Sequence, residues 1–231
     1  MRAEQVRKLI VAIDGPAGAG KSTVAKRVAK EMGYTYMDTG AMYRAFAWRV
    51  MKEGLDLKND GALRKALRDT RIELAERDGR AQVLLNGTDV SEWIRTPELS
   101  QMASRVSTSK IVRERMVELQ REMGSKGGVV AEGRDIGTVV FPSAEVKIYL
   151  DASSPERARR RFEELRSRGD RVDMAGTRGE MEERDRRDRE RDVAPLRPAE
   201  DALVIDSTAV DVDSVVERIM EEIKRKISLI H

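Results

Sequence analysis

The sequence contains no cysteine in its 231 residues. That excludes disulfides, a thiolate nucleophile and any cysteine-ligated metal. Its single histidine is His231, the last residue, which argues against a histidine general base, a Ser-His-Asp triad or a histidine-bound zinc. Aromatic residues are only 4%, too few to interleave base-stacking side chains with the arginine-rich stretch at 157–191. No apolar run approaches the roughly 18–20 residues that span a bilayer. Near the N-terminus, Leu9 to Ile13 is broken by Asp14 and is too short for a signal-peptide core, so a cytoplasmic protein is expected. Charge of one sign is also missing: 44 Lys plus Arg against 41 Asp plus Glu leaves +3. A surface with 37% charged residues is dense in charge without being a basic coat. Any catalysis must run on lysine, arginine, carboxylates, hydroxyls and main-chain amides.

Hydrophobic residues at 40% suffice for a sizeable core. Lys8 to Ile13 reads as a buried strand, Ser22 to Met32 as a helix stopped by Gly33, Tyr34 to Met37 as a second strand, and Met42 to Met51 as a helix closed by Gly54. Ile72 to Ala75 and Gln82 to Leu85 alternate around turns at Asp78-Gly79 and Asn86-Gly87, a small antiparallel meander. A helix opens at Thr96-Pro97-Glu98 and another runs from about Ile111 to Met123. Gly124 to Gly128 is a linker. The strand style returns at Val129 to Ala131, Val146 to Leu150 and Ala202 to Ile205. Ser154-Pro155-Glu156 caps a charge-laced helical region, roughly Arg157 to Arg191, with breaks expected at Gly169 and at Gly176 to Gly179. A last helix covers about Val212 to Ile227. Five short apolar strands alternating with helices predict an α/β fold, a five-stranded parallel sheet covered on both faces.

Gly15-Pro16-Ala17-Gly18-Ala19-Gly20-Lys21-Ser22, followed by Thr23, matches G-x-x-x-x-G-K-[ST] without a gap, after a strand and before a helix. Glycines let successive amides curl around a phosphate, and the following helix points its positive end at the same place. In that pattern Lys21 reaches the β/γ phosphates and Ser22 places its hydroxyl on Mg²⁺. ATP and Mg²⁺ are therefore the expected donor and cofactor. No Asn-Lys-x-Asp is present to read guanine, and the chain is small for a motor ATPase, which leaves a small kinase.

Two further strings follow predicted strands: Asp38-Thr39-Gly40-Ala41-Met42-Tyr43-Arg44, and Glu132-Gly133-Arg134-Asp135-Ile136-Gly137-Thr138-Val139-Val140-Phe141-Pro142. In open α/β sheets, ligands sit beyond the carboxyl ends of strands. With the phosphate loop, and with Arg184 to Arg191 followed by Ala194-Pro195-Leu196, these strings resemble the bacterial-type cytidylate kinase family over nearly the whole chain. The resemblance implies a P-loop core at 1–38 and 125–231, a helical lid within about 155–192, and a CMP-binding region at 39–124 with an antiparallel insert at about 66–105. It implies transfer of the ATP γ-phosphoryl group to CMP or dCMP in pyrimidine metabolism. It also implies that Arg44, Arg134, Arg184 and Arg191 hold the acceptor phosphate, that Ser104, Arg113 and Asp135 read cytosine, that Asp188 reads the sugar, and that Thr39 belongs to the CMP site. Lys21, Arg134, Arg184 and Arg191 would be the catalytic charges. Adenine is expected beside the last strand and Asp206-Ser207-Thr208.

Physical chemistry supports these roles separately. A carboxylate accepts from the cytosine N4 amine and repels the uracil O4 carbonyl, which suits Asp135. Arginine forks pair bidentately with phosphate. Against this, Glu163, Glu164, Glu182, Glu183, Asp185 and Glu190 are placed to neutralise the arginine run along solvated helices, so only a subset, Arg184 and Arg191 first, is expected to act. Gly169, Gly176 and Gly179 are candidate hinges. Two other readings stay open: a kinase for a different small molecule, and a nucleic-acid-binding NTPase suggested by the pI of about 9.1. A monomer with no membrane or nucleic-acid partner is expected.

Overall fold

The computed structural model describes residues 8–77 and 80–230. The predicted turn at Asp78-Gly79 and His231 lie outside them. Strands β1 (Ile10–Asp14), β2 (Thr35–Asp38), β6 (Val129–Gly133), β7 (Val146–Asp151) and β8 (Leu203–Asp206) form the expected five-stranded parallel sheet in the order β2-β6-β1-β7-β8. Ile13 stands opposite both Glu132 and Ile148, so the ends of β1, β6 and β7 come level.

Helices α1 (Lys21–Met32) and α8 (Val212–Ile230) cover this sheet because their apolar residues recur at helical spacing. Val24, Ala25, Val28 and Ala29 of α1 share one core with Val215, Val216, Ile219 and Ile223 of α8 and with Val11, Ile13, Ile148 and Ile205 of the sheet. Gly33, at φ 62°, ends α1 by donating to the Ala29 and Lys30 carbonyls.

Residues 8–37, 121–190 and 194–230 make one compact unit, and Asp38–Gln120 with Arg191–Val193 make another. In the second unit, Asp38 caps helix α2 (Thr39–Glu53) by accepting from the Ala41 amide at 2.8 Å. Helix α3 (Asp60–Arg68), capped by Asn59, was not singled out in the sequence, although Leu63, Ala66 and Leu67 stand at helical spacing and are its buried face. Strands β3 (Ile72–Arg77), β4 (Arg80–Leu85) and β5 (Thr88–Asp89) form the antiparallel meander. Asn86 and Gly87 both have positive φ, as a tight hairpin needs. Helices α4 (Pro97–Val106) and α5 (Lys110–Gly124) follow, and α4 packs on α2.

The charge-laced region differs from expectation. Helix α6 (Ser154–Ser167) and helix α7 (Met174–Glu190) are separated at Gly169, but Gly176 and Gly179 lie inside α7. They are therefore not hinges. Glycine weakens a helix interior by about 1 kcal/mol, and two features offset it here. Asp173 accepts from the Gly176 amide at 2.8 Å, and Thr177 and Met181 are buried. Ser154 is already the first residue of α6, and Ser153, which stands at the cap, makes no side-chain capping bond.

Among the described residues no helix is long and apolar enough to cross a membrane.

Candidate active site

The loop from Gly15 to Gly20 joins β1 to α1, and two of its glycines are there for space. Gly15 has φ 148°, and a Cβ on it would stand 1.9 Å from the Leu150 carbonyl oxygen. Gly18 has φ 75°, and a Cβ there would meet the Arg157 carbonyl oxygen at 2.8 Å and the Met181 methyl at 2.9 Å. Side chains are excluded, so main-chain amides line the loop. Pro16, Ala17 and Ala19 complete it, with Ala19 fully buried. Gly20 begins α1 with no side-chain cap, which leaves the first amides of that helix for an anion. Lys21 is 5% exposed, and its Nζ donates to the Pro16 carbonyl at 2.6 Å. Ser22 and Thr23 are exposed beside it.

Around Lys21 the first unit gathers buried charge. Burial, then the nearby Arg134, pulls the Lys21 pKa down to about 7, with Arg184 adding to the drop and Glu132 and Asp14 opposing it. Burial likewise pushes Asp14 up to about 6, although it accepts from the Gly137 amide at 2.7 Å and the Ile136 amide at 2.8 Å. Those two bonds hold a single wide helical turn, Ile136–Val140, which Asp135 precedes. Arg134 donates from Nε to Asp188 Oδ2 at 2.9 Å. Burial disfavours its charge, but Asp188, Glu132 and Asp185 hold its pKa above the ordinary value. Glu132 accepts from the Tyr36 hydroxyl. Both Asp135 and Asp188 are buried. Of the predicted residues, the first unit thus holds Gly15 to Thr23, Arg134, Asp135, Arg184 and Asp188.

The second unit holds Thr39, Arg44, Ser104, Arg113 and Arg191. Thr39 is buried at the start of α2. Arg44, one turn on, pairs with Asp38 at 3.0 Å. Ser104 and Arg113 meet at the α4–α5 corner: Ser107 donates to the Ser104 carbonyl at 2.8 Å, and Arg113 donates to the Ser107 carbonyl at 3.4 Å. The Arg113 guanidinium lies 5.9 Å from the centre of the Tyr43 ring. Ser104 Oγ is buried with no hydrogen-bond partner among the described residues. A lone hydroxyl in that state marks a place where a ligand can supply the missing bond.

The family model described as cytidylate kinase matches residues 11–225. The chain belongs to the cytidylate kinase family. Cytidylate kinase of Syntrophotalea carbinolica is 50% identical over 220 residues, covering 95% of this chain and 94% of that protein. Cytidylate kinase of Geobacillus kaustophilus is 51% identical over 221 residues, covering 96% and 99%. A crystal structure of an uncharacterized protein from Eubacterium ventriosum shares the fold with a TM-score of 0.52 at 14% identity, covering 94% of this chain and 99% of that one. Membership in this family makes the chain a phosphotransferase of the nucleoside monophosphate kinase kind.

Several site residues escaped the sequence reading. Asp14 reads as the polar end of a strand, yet it holds the turn after Asp135. Glu132 lies inside a quoted string with no role assigned, yet it faces Lys21 electrostatically. Arg160 donates to the Ser207 carbonyl at 2.6 Å, and Ser207 donates to the Ala19 carbonyl at 3.2 Å. The Asp206-Ser207-Thr208 loop therefore lies against the phosphate loop. The signal available for Asp14 was its place at the end of the apolar run of β1, directly before the phosphate loop. Among the described residues no three His, Cys, Asp or Glu side chains are grouped to hold a metal. The exposed Ser22 hydroxyl at the loop mouth is a hard oxygen donor of the kind that Mg²⁺ accepts.

Proposed function

We propose that the chain transfers the γ-phosphoryl group of ATP to CMP or dCMP, giving ADP and CDP or dCDP in pyrimidine nucleotide metabolism. The observation that carries this reading is the buried Lys21 in a glycine-shaped loop, flanked by Arg134 and Arg184, in a member of the cytidylate kinase family. Gly15 to Thr23 bind ATP. When bound with the nucleotide, Mg²⁺ supplies charge neutralisation on the phosphates, and Ser22 is the residue that holds it. Arg44, Arg134, Arg184 and Arg191 bind the acceptor phosphate, Ser104, Arg113 and Asp135 read cytosine, Asp188 reads the sugar, and Thr39 contributes to the CMP site. Residues 1–38 and 125–231 act as the core, about 155–192 as the lid, and 39–124 as the CMP-binding region with its insert at about 66–105. The enzyme works in the cytoplasm as a monomer on small molecules, with no nucleic-acid or membrane partner.

Phosphoryl transfer asks little covalent help of a protein. It needs two anionic substrates in line and the charge on the transferring group neutralised. An acceptor phosphate oxygen is already an anion, so no histidine base is needed. Lys21 and the arginine forks supply the positive charge, and a closed lid excludes water and so limits hydrolysis of ATP. The Arg134–Asp188 pair at 2.9 Å brings a phosphate-binding arginine and the sugar-reading carboxylate side by side.

The test is ADP formation from ATP and Mg²⁺ with CMP, dCMP, UMP, AMP and GMP in parallel. The reading expects CMP and dCMP to lead. Turnover of a purine monophosphate above CMP, or none with any, defeats it.

A further inference from the structure

The roles proposed so far leave unused a buried ion pair beside the phosphate loop. Arg157 of α6 is 4% exposed and Asp185 of α7 is 3% exposed. Arg157 Nη1 lies 2.5 Å from Asp185 Oδ2 and 3.1 Å from the Ala17 carbonyl oxygen, while its Nε donates to the Ala152 carbonyl at 2.9 Å. One guanidinium therefore joins the phosphate loop, the chain leaving β7 and the helix α7. Ala17, Ala158 and Met181 close an apolar contact around it. Asp185 Oδ1 is buried without a hydrogen-bond partner among the described residues.

The inward face of α7 carries Thr177, Met181, Asp185 and Asp188. Asp188 binds Arg134, and Arg184 neighbours Asp185 in sequence while sitting close enough to Lys21 to oppose its charge. The negative charge of Asp185 also supports that of Arg134. Stability alone does not explain such a pair. Apolar side chains of similar volume usually dock two helices as well as a buried ion pair does, or better. What the pair adds is direction: three fixed bonds from one planar group set the register of α7 against the phosphate loop.

We propose that Arg157 and Asp185 form the positioning pair of the transfer step, tying the Ala17 main chain to α7 so that Arg184 is held in place relative to Lys21. The proposal rests on the kinase reading above, and specifically on Arg184 acting on the transferring phosphoryl group. A shift of about 1 Å at such a group costs on the order of a hundredfold in rate, while ground-state binding changes little.

The experiment compares the parent with Arg157→Met/Asp185→Leu, which removes the tie and leaves no lone buried charge, and with Arg157→Lys, which keeps the buried charge and gives up the planar three-bond fork. The double variant is expected to melt within about 5 °C of the parent. Its kcat at saturating ATP and CMP falls at least about tenfold, with KM for each substrate changed less than about threefold. A kcat within about threefold of the parent, or a loss carried by KM alone, overturns the proposal. Should the double variant fail to fold, Arg157→Lys is read by the same criteria. Parent turnover with CMP scores the kinase reading separately. If the parent proves inactive on CMP, hydrogen exchange with ATP alone decides. The proposal expects ATP to slow exchange of the α7 amides several-fold in the parent and less than about twofold in the double variant. Equal slowing in both, or none in the parent, overturns it.

Discussion

The outward and inward faces of α6 and α7 are written in the same letters and behave differently. Outward, Arg159 pairs with Glu156 and Glu163, Arg161 and Arg168 with Glu164, Arg178 with Glu182, and Arg186 with Glu183 and Glu190. These are neighbours three or four residues apart on one helix, mostly exposed, and pairs of that kind contribute little. Inward, Arg157 meets Asp185 and Asp188 meets Arg134, each across 28 residues or more and away from water. Helical period, not composition, sorts a uniform run of charge into solvated ladder and site. The reading of Asp185 as one more neutralising acid on a solvated helix is thereby corrected: it is buried, and its partner comes from another helix.

The comparison breaks first at the inward charges. Arg184→Ala is expected to lower kcat on the order of a thousandfold with ATP and CMP, because a charge aimed at the transferring group acts chiefly in the transition state. Steady-state kinetics at saturating substrates measure it. A loss below tenfold would move Arg184 to the solvated class. Next in size is Asp135→Ala. Loss of one base-reading pair corresponds to about 1–3 kcal/mol, so kcat/KM for CMP should fall between roughly fivefold and a hundredfold. KM for ATP should stay within about twofold, and UMP should gain relative to CMP. Unchanged CMP kinetics would remove Asp135 from the base-reading set.

A smaller effect comes with pH. Lys21 sits near 7 in the folded chain against 10.5 unfolded, so between those values the unfolded chain binds more protons and stability rises with pH. Asp14 sits near 6 against 3.8, so between 3.8 and 6 the folded chain binds more protons and stability falls as pH rises. The melting temperature of the nucleotide-free protein should therefore pass through a minimum near pH 6–7. The solvated acids offer a contrast, since Arg159 and Arg160 hold Glu156 down to about 2 and keep it ionised across that window. Phosphate oxygens favour the protonated lysine, so ATP binding at pH 8 should take up a proton, visible in calorimetry across buffers of different ionisation enthalpy. Affinity for ATP should fall by up to about fiftyfold from pH 7 to pH 9, as the protonated fraction of Lys21 drops from about a half to about a hundredth. Lys21→Met should abolish both the proton uptake and the rise in stability above pH 7.

Legibility in the sequence follows locality. The phosphate loop was readable because its glycines, lysine and serine stand within eight residues, and the central strands because burial on both faces makes each a short apolar run. The strings around Thr39 and Arg134 were readable for the same reason. What stayed hidden depends on distant neighbours. Asp14 becomes structural only once β6 brings Ile136 and Gly137 to it. Helix α3 is the exception: Leu63, Ala66 and Leu67 already stand at helical spacing, so its period was local and readable. Gly176 and Gly179 look like breaks until Asp173 and Met181 are seen to hold α7 through them.

The smallest effect expected is the one that keeps the comparison honest. Arg186 donates to Glu183 at 2.9 Å and lies 3.3 Å from Glu190, the kind of clamp that looks strong on inspection. All three side chains stand in water, where holding two long side chains in one geometry costs about what the attraction returns and salt screens the remainder. Arg186→Gln should therefore move the melting temperature by less than about 2 °C and leave kcat with ATP and CMP within about twofold. Placed on the same helix two residues from Arg184, it controls for any general disturbance of α7. A kcat loss at Arg186 approaching that at Arg184 would mean that total positive charge on α7, rather than the direction in which each arginine points, drives the transfer.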